Sequence, residues 1–143
     1  MPALPLLALV AAALFTGAAA YISLVEHPAR LILEDGPLLA QWKPSYDRAL
    51  PIQSGLAIVG GLAGLAAWYE TAGWTWVAGS VVLLANWPFT LIGIMPTNKR
   101  LKVVQPGAES RALLQAWGRL HGVRSLLGAA STLIFAAACL QLA

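Results

Sequence analysis

Five residues of this chain carry the types and placement that could do chemistry: Glu26, His27, Asn98, His121 and Arg124. Two imidazoles and a carboxylate form the ligand set of a non-haem metal centre, so Glu26, His27 and His121 are candidate ligands for an ion such as iron or copper. The same groups equally suit a general base held by a neighbouring acid. Spacing alone does not separate these chemistries, and the cofactor is either none or a single metal ion. On either reading His121 and His27 are the groups that could take a proton or hold an ion, with Arg124 as the cation beside them. They are far apart in sequence, so only a particular arrangement of elements can bring them together.

Four apolar stretches supply that arrangement: Ala3 to Val25, Pro51 to Tyr69, Trp74 to Met95, and roughly Leu120 to Leu142. Each is long enough to cross a bilayer core about 30 Å thick, which takes roughly 20 helical residues. Of the nine Lys and Arg residues, eight fall in the connections after the first and third stretches and the ninth, Arg124, at the start of the fourth. Short loops rich in Lys and Arg stay cytoplasmic. The expected fold is therefore all-α: one domain over residues 1–143, with four transmembrane helices in an antiparallel up-down-up-down bundle. Both termini are expected on the non-cytoplasmic side of the cell membrane. In that topology His27 ends span 1, Thr97 and Asn98 end span 3, and His121 with Arg124 begins span 4, all on the cytoplasmic face.

Composition agrees with this class. Of 143 residues, 59% are hydrophobic and 10% charged, and the mean hydropathy is +0.71. The net charge of +3 does not point to nucleic acid, because the positive residues border apolar spans, where an anionic leaflet attracts them. The single cysteine, Cys139, cannot form an intrachain disulfide and sits in an Ala-rich apolar run. The first stretch has no basic residue before it and exceeds a typical signal-peptide core, so it reads as a retained helix. Trp68, Tyr69, Trp74 and Trp76 gather around the connection from Glu70 to Gly73, as an interfacial aromatic belt does. In the first basic connection, Leu38, Leu39, Trp42, Tyr46 and Leu50 follow helical spacing. They predict a short interfacial helix that Pro44 bends or ends.

Polar residues recur inside the spans at i, i+4, i+7, i+11, the spacing of one helix face. The sets are Thr16, Ala20, Ser23, His27; Gln53, Ala57, Gly60, Gly64; Asn86, Thr90, Gly93, Thr97; and His121, Ser125, Gly128, Thr132. Small and hydroxyl residues let membrane helices approach closely. Asn86, next to Trp87-Pro88, either satisfies the carbonyl that the proline frees or faces a ligand. Each stripe grows more polar towards the cytoplasmic end, and Ala3 to Phe15 carries no polar side chain. That pattern suits a blind pocket more than a channel.

The ordered segments Phe15-Thr16-Gly17, Glu26-His27-Pro28-Ala29, Trp42 with Tyr46, Pro88-Phe89-Thr90, Pro96-Thr97-Asn98 and Trp117-Gly118-Arg119-Leu120-His121-Gly122-Val123-Arg124 resemble the anthrone oxygenase-like family of small four-helix membrane proteins. The resemblance extends over nearly the whole chain. It implies a membrane oxidoreductase that uses molecular oxygen on an apolar phenolic, anthrone- or quinol-like substrate. His121 would be the base, Arg124 and Asn98 would stabilise an enolate oxygen, and His27 would be a second base or a ligand. Thr97, Asn86, Trp42, Tyr46 and Trp117 would complete the substrate site. The alternative is a membrane-embedded module that binds a small ligand, metal or haem without catalysis. The implied partners are the lipid bilayer, an apolar small molecule and, as an option, a second copy of the chain.

Overall fold

The computed structural model describes residues 3–142. Ala143, which the topology expectation places outside the cytoplasm, lies beyond the described residues. Four helices are long and apolar enough to cross a membrane: α1 (Ala3–Leu31), α2 (Asp35–Thr71), α3 (Trp74–Val103) and α4 (Ala108–Leu140). No strand occurs among the described residues. The fold is all-α, and the protein is a multi-pass membrane protein. Every helix runs beyond the apolar stretch that announces it.

The largest departure from expectation is α2. Its 37 residues pass through Pro44 and Pro51 without ending, so there is no separate interfacial helix before the second span. A proline inside a helix costs about 3 kcal/mol. Upstream of Pro44, however, Leu38, Leu39 and Trp42 are fully or almost fully buried. Each such side chain contributes about 1.5–3 kcal/mol. Three of them outweigh the proline, and the helix continues because its far end is packed.

Helix α1 packs against α2 and α4, α2 against α3, and α3 against α4. Contacts pair in opposite sequence directions: Thr16 meets Thr132 and Ser23 meets Ser125. Leu6, Leu14, Leu24, Leu62, Leu126 and Leu133 face outward. In lipid those side chains gain nothing by burial, so close packing of small residues must hold the helices together. One cluster does this with Ala8, Ala12, Ala57, Ala63, Ala67 and Ala138 around Phe15, Trp76 and Phe135. Phe135 fits only because Gly64 and Gly79 lack side chains: an added Cβ would come within 2.7 and 2.5 Å of its ring.

A second cluster is larger in its side chains: Ile22, Leu38, Leu39, Trp42, Ile94, Leu101, Leu114 and Trp117. Ion pairs fasten the connections around it. Lys102 reaches Asp47 at 2.5 Å, and Arg100 pairs with Glu109. Arg111 bonds Asp35 at 2.6 Å and also donates to the carbonyls of Leu31 and Leu33. It thereby satisfies carbonyls that the end of α1 leaves without helical partners. Two π-helical turns interrupt the regular winding, at Ile22–Glu26 in α1 and Thr90–Ile94 in α3. Both lie beside the polar layer described next.

Candidate functional site

Between the two apolar clusters the helices contribute polar side chains that are nevertheless buried. Ile22 and Arg30 of α1, Tyr46 and Gln53 of α2, Asn98 of α3, and Trp117, His121 and Arg124 of α4 border a cavity of about 20 Å³. That is room for about one water molecule. A second cavity of about 120 Å³ lies alongside, lined by Ser54, Ala57, Asn86, Trp87, Thr90 and Arg124 among others. Leu50 and Arg124 border both.

His121 is 2% exposed and stacks on Trp117, ring centroids 4.8 Å apart. Its Nδ1 lies 2.9 Å from Ser23 Oγ. Its Nε2 has no hydrogen-bond partner among the described residues. Three positions on, Arg124 is 7% exposed, with its guanidinium 5.6 Å from the centroid of the Phe15 ring. It makes no hydrogen bond or ion pair among the described residues, and its Nε is fully enclosed. Arg30 behaves oppositely: it pairs with Glu26 at 2.5 Å and donates to Ser45 at 3.2 Å. A buried cation without a partner is expensive, because its desolvation is not repaid. Of the two arginines on the cavity wall, Arg124 is the one without a counter-ion among the described residues.

Across the cavity, Asn98 donates through Nδ2 to Tyr46 Oη at 3.0 Å. A phenol that accepts from Asn98 keeps its own proton free to donate elsewhere. Tyr46 is held by stacking on Trp42, centroids 4.9 Å apart. Trp42 itself lines neither cavity and supports Tyr46 from behind. Asn86 donates to the Leu83 carbonyl at 3.0 Å, while its Oδ1 stays enclosed without a partner. The carbonyl that Pro88 frees is that of Leu84, four residues back, so Asn86 bonds a neighbouring carbonyl and not the one expected; its side chain borders the second cavity.

Three placements depart from expectation. Thr97 is half-buried and borders neither cavity. His27 is 5% exposed but lies behind Trp117, centroids 5.2 Å apart, and not on the cavity wall. The backbone of Leu114 faces the His27 ring without reaching hydrogen-bonding geometry, and both ring nitrogens remain unpartnered. The third concerns the metal set. Glu26 Oε1 is taken by Arg30, Ser45 and Gln41. No group of three His, Cys, Asp or Glu side chains among the described residues is placed to hold an ion. Glu26, His27 and His121 therefore do not fit iron or copper as a ligand triad.

Arg30, Ser45 and Gln53 were not singled out from sequence as site residues. Gln53 carried a signal, as the polar head of the stripe in the second span. Arg30 lies four residues after Glu26, the spacing of a helical ion pair, but reads as loop charge until the helix is known to continue.

Gly118 decides where His27 can sit. A Cβ there would lie 2.3 Å from His27 Nε2. Gly118→Ala is expected to destabilise the fold by about 1–3 kcal/mol through overpacking. The loss should shrink when combined with His27→Ala, because the clash disappears. Unfolding in mild detergent of the two single variants and the double variant measures the coupling.

Fold and site together define a multi-pass helical membrane protein with two buried cavities that share a cationic side chain. Residues 42–134 match the anthrone oxygenase family, and the chain belongs to that family. No curated protein and no solved structure matches the chain. The family match includes Trp42, Tyr46, Asn98, Trp117, His121 and Arg124; Ser23, Glu26, His27 and Arg30 lie before it. The match thus covers less than the near-complete resemblance read from the segments.

Proposed function

We propose that this protein is an integral membrane oxygenase that oxidises an apolar phenolic, anthrone- or quinol-like compound, and that with an anthrone it converts the acidic methylene to a carbonyl. One observation carries the reading: the buried Arg124 guanidinium, which makes no hydrogen bond among the described residues, borders both cavities, and His121, with one ring nitrogen free, borders the first. An oxygen that gains negative charge during reaction would supply what Arg124 lacks, and the protein's donors would already be in place. His121 Nε2 takes a proton from the methylene carbon, and the resulting charge moves onto the substrate's carbonyl oxygen. Arg124 and the Tyr46 hydroxyl then donate to that oxygen, with Asn98 orienting Tyr46. Molecular oxygen, as co-substrate, oxidises the carbanion. One of its atoms remains as the new carbonyl and the other leaves as water, carrying both methylene hydrogens.

Family membership supports the reaction class, and the largely apolar lining of the second cavity supports an apolar substrate body. Such a compound partitions into the bilayer and would reach the pocket between helices. The test is oxygen consumption by the purified protein in nanodiscs with an anthrone and with a panel of hydroquinones. Consumption with stoichiometric carbonyl product supports the reading. No consumption across the panel would leave the alternative, a membrane-embedded binding module without catalysis.

The orientation belongs to the same proposal. The basic connections face the cytoplasm, the helices run up-down-up-down, and the turn at residues 72–73 faces the other side. A reporter inserted in that turn is expected to signal outside. One placed at residues 104–107 is expected to signal inside. The opposite pattern would invert the topology and put the pocket on the outer face.

A further inference from the structure

His121 is tied to a closed chain of hydroxyls that leads back to its own backbone. Its Nδ1 is 2.9 Å from Ser23 Oγ, which is 2.9 Å from Ser125 Oγ, which in turn lies 3.4 Å from the His121 carbonyl oxygen. The last member of this chain can only accept. Ser125 therefore donates to the carbonyl, Ser23 donates to Ser125, and Ser23 is left with a lone pair facing Nδ1. The chain then gains its third bond only if Nδ1 carries the proton. Run in reverse, Ser125 would have to leave the carbonyl, and Nε2 would present an N–H to a cavity that also holds the Arg124 guanidinium. A donor aimed towards an unneutralised cation is unfavourable, whereas a lone pair there is not.

We infer that Ser23 and Ser125 are positioning residues that fix the neutral His121 imidazole with its proton on Nδ1 and the Nε2 lone pair in the cavity. Which ring nitrogen carries the proton is set by the hydrogen bond the other one makes. Here that bond comes from a neighbouring helix, so α1 determines the state of a side chain on α4. The proton count is simple. The ring enters the reaction with one proton on Nδ1, accepts one on Nε2, and gives it up again when water forms. Neither serine lines either buried cavity; both line a separate groove between α1 and α4. Their substitution therefore leaves the substrate walls intact.

The assignment rests on the proposed role of His121 as base, but its test does not require turnover. The chain has two histidines, so ¹⁵N-histidine labelling gives two sets of ring signals, and His121→Gln identifies one of them. The expected spectrum of the wild type in nanodiscs has a protonated Nδ1 and an unprotonated Nε2 on His121. Ser23→Ala should give a mixture of both forms, and Ser23→Thr, which keeps the hydroxyl, should restore the first. Where turnover is measured, Ser23→Ala should lower kcat about 10-fold or more with KM unchanged, a fraction of what a positioned base contributes. A wild-type His121 protonated on Nε2 would overturn the inference, even if the Ser23 variants do not fold. So would a Ser23→Ala spectrum identical to that of the wild type. If the expected form is seen and no phenolic compound consumes oxygen, the oxygenase reading fails while the positioning role stands.

Discussion

Replacing His121 with alanine lowers oxygen consumption by about 10²–10⁴-fold, the range that a positioned base contributes, and leaves the helical fold in place. The expectation follows from the free Nε2 in the cavity wall and from the absence of another imidazole there, since His27 is screened by Trp117. His121→Gln is the matching control, because it keeps a polar group of similar length without a basic nitrogen. Thr132→Val should change turnover much less. Thr132 bonds Thr16 at 2.9 Å and the Gly128 carbonyl at 3.0 Å, and borders neither buried cavity. Rates of the three variants, compared at equal helix content by circular dichroism, decide the matter. Wild-type turnover in a folded His121→Ala protein would remove His121 from the mechanism.

The second large effect has opposite signs on activity and stability. Arg124→Leu is expected to abolish turnover and at the same time to raise resistance to thermal unfolding. Replacing buried charge by packed apolar atoms is often stabilising by about 1–4 kcal/mol, and Arg124 has no ion pair among the described residues to lose. Arg124→Lys keeps the charge but not the planar fork of donors, and should lose most activity without the gain in stability. Arg30→Leu separates the two arginines, since it strands Glu26 and should destabilise. Melting curves in one detergent, read beside oxygen uptake, test all three. A destabilised Arg124→Leu protein would show that the guanidinium has a structural partner.

The apolar lengths and the one-sided distribution of Lys and Arg were enough to count the membrane helices, because both signals are local and set by the bilayer. The continuation of α2 through Pro44 and Pro51 was not legible. It depends on Leu38, Leu39 and Trp42 finding partners on other helices, and spacing within one segment cannot reveal that. The meeting of Asn98, His121 and Arg124 at one cavity could be anticipated, since each lies near the boundary between an apolar stretch and the basic connection that joins the third stretch to the fourth. His27 could not be placed the same way. The missing side chain of Gly118, 91 positions later, gives its ring a seat on the far side of Trp117. Arg30 and Ser45 were hidden for a related reason: their partner Glu26 was read as a free carboxylate, and sequence does not say which charge is already neutralised.

The π-helical turns in α1 and α3 make the count of residues near the site matter, apart from their identity. Each holds one residue more than regular winding needs, and each winds the chain just ahead of groups in the polar layer, Arg30 in α1 and Asn98 in α3. The wide turn takes up that extra residue within itself. Removing one residue from Ile22–Glu26 or Thr90–Ile94 would therefore let the turn relax to an ordinary α-helix, with the residues beyond it facing as before. A deletion in the regular winding between turn and site has no such slack and would rotate everything beyond it by about 100°, the angle of one residue at 3.6 per turn. Arg30 or Asn98 would then swing out of the pocket although neither had been altered. In this protein, then, the two wide turns are where α1 and α3 tolerate the loss of a residue, and a relative shortened by one there would keep its pocket.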